Sequence, residues 1–394
     1  MGGTRIQIDD GQRRARLGRR HHLAKAAADV ATAARSLVGL HSSDPASVYL
    51  AAQARVAGVT PDDVAAALYD ERSLVRVLGM RRTMFVVPTD LARVIHAAVT
   101  QHLAAGEHTR TIKMLTDAGV ADAEAWLDGV AEATVSALRR RGEAVATQLR
   151  DDVAGLREKV RVGVGTKWEG DIGLSTRTLF LLATEGRIVR ARPRGTWIST
   201  QYRWALAEDW LGEPLAGIAP RRAAADLLGA WLRAYGPGTL VDMKWWTGWT
   251  VAKTKAALAD VGAVEVDLSD GIGFVLPGDI ESVDEPDPWV ALLPGLDSTV
   301  MGWKQRSWYL GDHSARLFDS NGNAGPTVWC DGRVVGGWAQ RRTGEVVTEL
   351  LDDVGRARRA VIDRKAAELE EWIGDLRVTP RFRTPLERLI IAED

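Results

Sequence analysis

Hydrophobic residues recur at helical spacing in three stretches near the start of the chain, and the spacing then changes to that of strands. The helical pattern covers residues 23–38, about 45–56 and 61–71. Residues 74–78 and 83–87 then have the composition of two short strands, joined by a basic turn. Three helices followed by a hairpin is the element order of a winged helix.

The same order of elements returns twice along the chain. A second set of helices and a hairpin is predicted over residues 121–141, 144–156, 174–185, 186–190 and 196–199. A third set is predicted over residues 221–235, 240–246, 251–261, 263–267 and 272–276. Because chance seldom reproduces an order of elements at similar intervals, we predict three tandem winged-helix units.

The C-terminal part of the chain has a different pattern. A strand is predicted over residues 289–293, and a hairpin is indicated by residues 327–330 and 333–336 on either side of Asp331-Gly332. The sheet is expected to continue to residue 351, before a charged amphipathic helix over residues 355–372. The sequence therefore predicts an α+β fold, in which three tandem winged-helix units precede a C-terminal β-rich domain with a terminal helix. The expected boundaries are 1–120, 121–212, 213–285 and 286–394.

Composition excludes several classes of protein. The 394 residues carry a net charge of −1, which argues against a surface coated in positive charge for indiscriminate nucleic-acid binding. No run of uncharged apolar residues approaches the roughly 20 that a membrane helix needs, and the charged N-terminus does not resemble a signal peptide. We therefore expect a cytoplasmic monomer that makes no membrane contact.

Cysteine and histidine usage excludes further chemistry. Cys330 is the only cysteine, so we expect no internal disulfide and no thiolate metal cluster, and its β-type neighbours favour a packing role. His21-His22 lacks the spaced ligands of a metal site, so we expect neither a metal nor a cofactor. The pair is instead a candidate for a phosphate contact. It lies in a basic segment that we interpret as a solvated face, with Arg13, Arg14, Arg16, Arg19, Arg20 and Lys25.

The candidate chemistry begins at residues 40–45, Leu-His-Ser-Ser-Asp-Pro, where one helix pattern ends and another begins. This segment places an imidazole, two hydroxyls and a carboxylate beside the free N–H groups of a helix N-terminus. Asp44 or Ser43 before Pro45 is also an ordinary N-cap, which contributes about 1 kcal/mol without any catalysis. The residue types alone leave both interpretations open.

Four parts of the sequence carry a resemblance to a known family. They are residues 37–40 with Asp44-Pro45, residues 71–76 with 81–84, residues 292–297 and residues 331–338. On these segments the chain resembles the winged-helix DNA glycosylases of the azinomycin-resistance and interstrand-crosslink-repair type. The resemblance implies a nucleoid-associated enzyme that hydrolyses the N-glycosidic bond of alkylated purines, including bulky or crosslinked ones, in duplex DNA.

The resemblance also indicates which positions of this sequence match the family's catalytic residues. The family's catalytic motif is Gln, an apolar residue, then Gln or Asp, directly after the first helix; these positions match His41, Ser42 and Ser43, so neither glutamine is present. An alkylated purine is cationic and already a good leaving group, so the enzyme must stabilise an oxocarbenium-like state and hold a water. His41 can serve as base or water holder, Ser43 as a second water ligand and Asp44 as an electrostatic stabiliser.

Basic and aromatic residues are candidates for contacts with DNA. Those on the first two predicted wings fit phosphate contacts: Arg81, Arg82, Arg190, Arg192 and Arg194. Four tryptophans are candidates for stacking on a base, although most of the fifteen are expected in the core: Trp168, Trp245, Trp246 and Trp249.

Two alternatives to a glycosylase stay open. A winged helix is usually a DNA reader, so a non-catalytic DNA-binding protein or transcription regulator is the first. A protein that binds a genotoxin or damaged DNA without cutting is the second. Three such units and a sheet domain in one chain, with an acidic third wing that a phosphate would repel, favour an enzyme that clamps one duplex.

Overall fold

The computed structural model describes residues 5–163, 165, 167, 169–380 and 382–392. Helices and strands are mixed along the chain, which confirms the α+β class. None of the helices in these ranges combines the length and the apolar composition needed to cross a membrane. Within the same ranges, no group of three or more histidine, cysteine, aspartate or glutamate side chains is arranged for metal binding.

The first region, up to residue 120, contains the predicted hairpin as the core of a small antiparallel sheet. The strand order is β2-β4-β3, with His41 opposite Phe85 and Leu74 opposite Pro88. One turn of π-helix follows α4 and another follows α5, at Ala66–Asp70 and His96–Thr100. The elements are β1 Ile6–Gln7, α1 Asp10–Arg20, α2 Val30–Ser36, β2 Leu40–His41, α3 Pro45–Gln53, α4 Pro61–Ala65, β3 Leu74–Leu78, β4 Met84–Pro88, α5 Thr89–Ile95 and α6 Gln101–Asp117.

The helix predicted over residues 23–38 is wrong for the first half of that range. His22 adopts a left-handed backbone conformation (φ 55°) just after α1, and a new helix begins only at Val30. Asp29 is the N-cap of this helix, because its carboxylate accepts the Thr32 N–H at 2.6 Å. Leu23 and Ala27 are buried, so burial produces the helical spacing there without a helix.

The second region, residues 121–212, has a sheet in the order β5-β9-β8. The strand predicted at residues 196–199 is wrong, because these residues form a turn in which the Ser199 N–H donates to the Thr196 carbonyl. Trp197 in this turn stacks on Tyr49, with ring centroids 5.1 Å apart, so it packs between regions and not within a strand. The elements are α7 Ala123–Arg141, β5 Glu143–Val145, α8 Ala146–Asp152, β6 Lys159–Val162, β7 Gly170–Gly173, α9 Leu174–Thr184, β8 Ile188–Pro193, β9 Tyr202–Leu206 and α10 Ala207–Leu211.

The third region follows the predicted order closely. Its sheet has the order β1-β11-β12-β10, so β1 at the start of the chain pairs with β11, in parallel. The elements are α11 Pro220–Tyr235, β10 Gly238–Thr239, α12 Leu240–Thr247, α13 Val251–Asp260, β11 Val264–Leu268 and β12 Gly271–Val275.

The last region contains the antiparallel sheet β13-β14-β15-β16, on which α16 packs. Cys330 is buried in β14, and burial raises the pKa of its thiol to about 11, as expected of a packing residue. The elements are β13 Val290–Leu293, α14 Ser307–Leu310, α15 Ser314–Leu317, β14 Thr327–Cys330, β15 Arg333–Gln340, β16 Val346–Leu350, α16 Gly355–Ile373 and α17 Pro385–Ala392.

The solvated face expected of the N-terminal basic segment is present at Arg19 and Lys25, which are exposed, but is wrong for Arg13 and Arg16. Arg13 and Arg16 are each only 2% exposed. Arg13 lies 3.2 Å from the Asp270 carboxylate, and Arg16 lies 2.6 Å from that of Asp279. The acidic turn after β11 is therefore paired with an arginine of the same chain. This pairing explains the negative charge of the turn, and no role in DNA binding is needed to explain it.

A second arginine pair joins the first region to the last. Arg55 and Asp297 form a two-pronged ion pair at 2.8 and 3.0 Å, and neither side chain is exposed to solvent. The guanidinium also donates to the Thr299 hydroxyl and to the carbonyls of His21 and Ala51. All charges and donors of this contact are thus satisfied inside the protein.

Removing one partner of this pair leaves a buried charge without compensation. We expect Asp297→Asn to lower the free energy of unfolding by about 3–5 kcal/mol, measured by urea denaturation. The matched control is Arg222→Ala, which breaks the exposed Arg222–Asp226 pair and should cost less than about 1 kcal/mol. Equal losses in the two variants would show that Asp297 has no special structural role.

Candidate active site

His41 lies on the edge strand β2, where its backbone N–H donates to the Ser298 hydroxyl at 3.1 Å. Its ring packs edge-on against Phe85, with centroids 5.1 Å apart, and the residue is 3% exposed. Burial, and secondly the positive charge of Arg81, lower the pKa of the imidazole to about 3. The ring is therefore neutral at physiological pH.

The neutral ring has a preferred tautomer. The Ser43 N–H points at Nδ1 from 3.5 Å, so Nδ1 is the acceptor and the proton lies on Nε2. In this state Nε2 is a hydrogen-bond donor. The local geometry therefore suits His41 to hold a water molecule better than to deprotonate one.

The two serines that follow His41 line a cavity of about 470 Å³ between the first and second regions, which we term the Ser43 cavity. Ser42 is buried and its hydroxyl accepts a hydrogen bond from Arg76, whereas Ser43 is partly exposed. The opposite wall comes from β8, β9 and the loop between them, with Arg190, Arg194, Tyr202 and Trp204.

Asp44 has the role that its position before Pro45 predicts. Its carboxylate accepts the Ala46 N–H at 3.0 Å, and α3 begins at Pro45, which confirms the N-cap. Asp44 lines a different, much smaller cavity, together with Gly295 and Pro326. The structure thus brings Ser42 and Ser43 to the Ser43 cavity, whereas neither His41 nor Asp44 lines it.

Two of the five arginines proposed to contact DNA face the Ser43 cavity. Arg190 and Arg194 both line it. The Arg190 guanidinium lies over the rings of Tyr202 and Trp204, at 5.2 and 5.5 Å from their centroids. Burial, followed by the charge of Arg76, lowers the pKa of Arg190.

The other three arginines have partners elsewhere. Arg192 pairs with Asp70 at 2.7 Å, and Arg82 pairs with the buried carboxylate of Glu107. Arg81 stacks on Trp245 at 3.9 Å, and burial with the nearby charge of Arg306 lowers its pKa to about 10. Arg82 is exposed and Arg192 is partly so, while Arg81 is mostly covered.

Several aromatic and histidine candidates are core residues. Trp246 and Trp249 are 2% and 7% exposed, so stacking on a base is wrong for both, and Trp168 lies outside the described residues. Trp245 is partly buried beneath two guanidinium groups. His21 is fully buried and bonds to Thr299 and to the Ala234 carbonyl, so the phosphate contact expected of it is also wrong.

Arg76 was missed by sequence reasoning. It is 2% exposed on β3, donates to Ser42 and lies 4.8 Å from the ring centroid of Tyr202. A signal was present, since a single arginine inside the otherwise apolar strand Leu74–Leu78 is a charge that must be buried for a reason.

The comparisons with known proteins identify the family of this chain. The model of the AlkZ-like DNA glycosylase family matches residues 34–372, which is most of the chain. The chain belongs to the AlkZ-like DNA glycosylase family. The matched residues include β2 and the residues that line the Ser43 cavity. They also include all or part of each of the four sheets described above.

Two individual relatives were found for this family member. An interstrand DNA cross-link repair glycosylase of Streptomyces sahachiroi is 28% identical over 211 residues, a match that spans 51% of this chain and 56% of that relative. The solved structure of the S. sahachiroi DNA glycosylase AlkZ has a TM-score of 0.71 and 21% identity, over 95% of this chain and all of that one. The structural likeness establishes a shared fold.

The buried neutral His41 predicts a pH dependence of stability. Its folded-state pKa of about 3 is below the unfolded value near 6.5, so the unfolded chain binds more protons between these values. Its contribution is therefore complete above pH 6.5 and is lost as the pH falls, by up to about 1.4 kcal/mol per unit. We expect His41→Gln to flatten the fall in unfolding free energy between pH 7 and 5, measured by denaturant titration.

The exposed His102 supplies the control for that measurement. His102→Gln makes the same substitution at an exposed position and is measured in parallel. A slope unchanged in His41→Gln would contradict the burial of a neutral ring.

Proposed function

We propose that this protein is a DNA glycosylase that hydrolyses the N-glycosidic bond of alkylated purines, including bulky or crosslinked ones, in duplex DNA. The observation that carries the proposal is the position of the Ser42-Ser43 pair. In a chain of a glycosylase family, these serines follow His41 and face a cavity with a cationic wall. The cationic wall is suited to the phosphates on either side of a lesion.

In the proposed mechanism the chain orients a water and does not activate it strongly. The C1′–N9 bond of the lesion breaks with its electron pair going to the cationic purine, which leaves as a neutral base. The water held by His41 Nε2–H and the Ser43 hydroxyl then adds to C1′ of the oxocarbenium-like sugar and loses its proton to solvent. Because the leaving group is already activated, donors that position the water can replace the family's glutamines.

Asp44 contributes to this mechanism through its position at the start of α3. As the N-cap of α3 it fixes the turn that holds Ser43, and its negative charge adds an electrostatic term that favours the sugar cation. Asp44 lines a cavity separate from the one that Ser43 lines, so in this proposal it does not contact the water.

The architecture proposed for this activity is a clamp of three winged helices. Each of the regions 1–120, 121–212 and 213–285 has a sheet with a hairpin that follows helices, and we assign residues 286–394 to a C-terminal α+β cap. The five proposed DNA-contacting residues are Arg81, Arg82, Arg190, Arg192 and Arg194. Ion pairs such as Arg192–Asp70 are weak where solvent reaches them, so a phosphate can take the place of the carboxylate. We propose a monomeric, nucleoid-associated cytoplasmic enzyme.

One observation favours a second function, a non-catalytic DNA-binding protein. His41 is 3% exposed and its ring is enclosed by Phe85, so the side chain that replaces the first glutamine has little contact with solvent. A protein that retained the DNA-binding surface and lost the reaction would have this arrangement. The two functions differ in base release and not in DNA affinity.

Base release distinguishes them. On duplexes with N7-alkylguanine, N3-alkyladenine or an interstrand crosslink, we expect release of the modified base, reduced at least about 100-fold in His41→Ala because the water loses its holder. His41→Gln, which restores a side chain that can hold water, is the matched control and should retain release. Binding without release on every one of these lesions would contradict the glycosylase proposal.

Salt dependence tests the DNA contacts. Affinity for duplex DNA should fall roughly 10³-fold or more between low and moderate salt, because a clamp releases several counterions on binding. Arg194→Gln should reduce the slope of log affinity against log salt by about 1. Arg222→Gln, on the exposed surface of α11, should leave the slope unchanged. A flat salt response in the wild type would contradict any DNA-binding function.

A further inference from the structure

A second cavity lies behind the Ser43 cavity, and no step of the proposed reaction uses it. It has a volume of about 220 Å³ and lies between β3, β8, α9 and the π-turn at His96–Thr100; we term it the inner cavity. It shares Ala146, Arg190 and Trp204 with the Ser43 cavity, so the two are neighbours.

Most of the inner cavity has an apolar lining, including Leu78, Leu179, Phe180 and Val189. A dry cavity of about 150 Å³ takes up benzene, so a cavity of this size and character accommodates about two fused aromatic rings. Apolar walls alone would favour any apolar molecule of that size. The polar groups of the lining restrict the class of ligand further.

Two guanidinium groups, those of Arg76 and Arg190, line the inner cavity beside one another. No carboxylate of the described residues lies within ion-pair distance of either one. Both instead lie over the Tyr202 ring, at 4.8 and 5.2 Å, and the buried Nε of Arg76 has no hydrogen-bond partner in the described part of the chain. Arg76 is buried and donates to Ser42, Arg190 is partly exposed, and neither charge is neutralised by a carboxylate of the described residues, so an anion in the cavity would pair with both.

His96 is a further unsatisfied group in the same lining. The residue is 6% exposed, and neither ring nitrogen has a partner with acceptable hydrogen-bond geometry among the described residues. The backbone at Thr184 and Glu185 lies near the ring, but burial dominates and lowers the pKa of the imidazole. A neutral imidazole has one donor and one acceptor, and since Nε2 lies against Gly186 just after α9, at most the other nitrogen is offered to whatever occupies the cavity.

We propose that the inner cavity is a binding site for a planar aromatic anion of about two fused rings, with the rings among the apolar side chains and the anionic group on Arg76 and Arg190. His96 hydrogen-bonds to a polar atom of the ring system. The occupant is either a free small molecule or the aromatic part of a bulky adduct on DNA, which reaches the cavity past Arg190. This site stands whether or not the protein releases bases.

Calorimetry with a matched pair of probes tests the site without DNA. Indole-3-carboxylate should bind at least about 10-fold more tightly than indole-3-carboxamide, because only the carboxylate pairs with the two guanidinium groups. Arg190→Met should bring the two affinities together. Equal affinities in the wild type, or no binding of either probe, would overturn the proposal.

Filling the cavity gives a second readout. Ala183→Phe places a ring in the cavity and should weaken indole-3-carboxylate binding at least about 10-fold, whereas Ala133→Phe on the exposed face of α7 should not. Circular dichroism and thermal unfolding establish that each variant is folded; if Ala183→Phe is not, the charge dependence in Arg190→Met decides. Undiminished binding in folded Ala183→Phe would refute the assignment.

Competition identifies the source of the ligand. Displacement of the probe by a duplex with a bulky aromatic adduct, and not by one with N7-methylguanine, would assign the cavity to the lesion. Displacement by neither duplex would support a free ligand at the same site. Base release from the N7-methylguanine duplex is measured separately, so a failure of the proposed glycosylase activity is distinguishable from a failure of this site.

Discussion

Arg55 and Asp297 form an ion pair without solvent contact, and the candidate active site depends on where that pair holds the chain. Ser298 follows Asp297 directly; its hydroxyl donates to the Gly39 carbonyl and accepts the His41 N–H. The last region of the chain thus fixes the edge strand β2, which carries His41 of the candidate site. A buried ion pair contributes little net stability by itself. It does require one relative position of its two side chains, and that requirement is what positions the candidate site.

The same constraint explains why His41 is buried. The segment after residue 294 covers β2 from one side, and Phe85 covers the ring from the other. Ser43 lies two residues further on, beyond the edge of this contact, and lines the cavity together with Ser42 as the more exposed of the two serines. Within the motif, His41 is therefore an enclosed donor and Ser43 carries an accessible hydroxyl. A substrate can approach Ser43 more readily than His41.

Local patterns predicted the elements well, because helix periodicity, the Asp331-Gly332 turn and the Asp44-Pro45 cap depend on neighbouring residues. Local patterns failed to predict the contacts between residues that are far apart in the sequence. The arginines of α1 have the spacing of a solvated face, and only the fold shows that Asp270 and Asp279 lie opposite them. The lone arginine in the apolar strand marked Arg76, but its partners and the two cavities could not be predicted, since they arise between regions far apart in sequence.

The pairing of β1 with β11, and of α1 with the acidic turn, has a consequence for biosynthesis. The N-terminal strand and helix reach their partners only after about residue 279 has left the ribosome. At roughly 5–20 residues per second, that delay is on the order of 10–50 s. During this interval the amphipathic arm lacks the strand and the carboxylates that complete its contacts, so its packing stays incomplete until the third region has been synthesised.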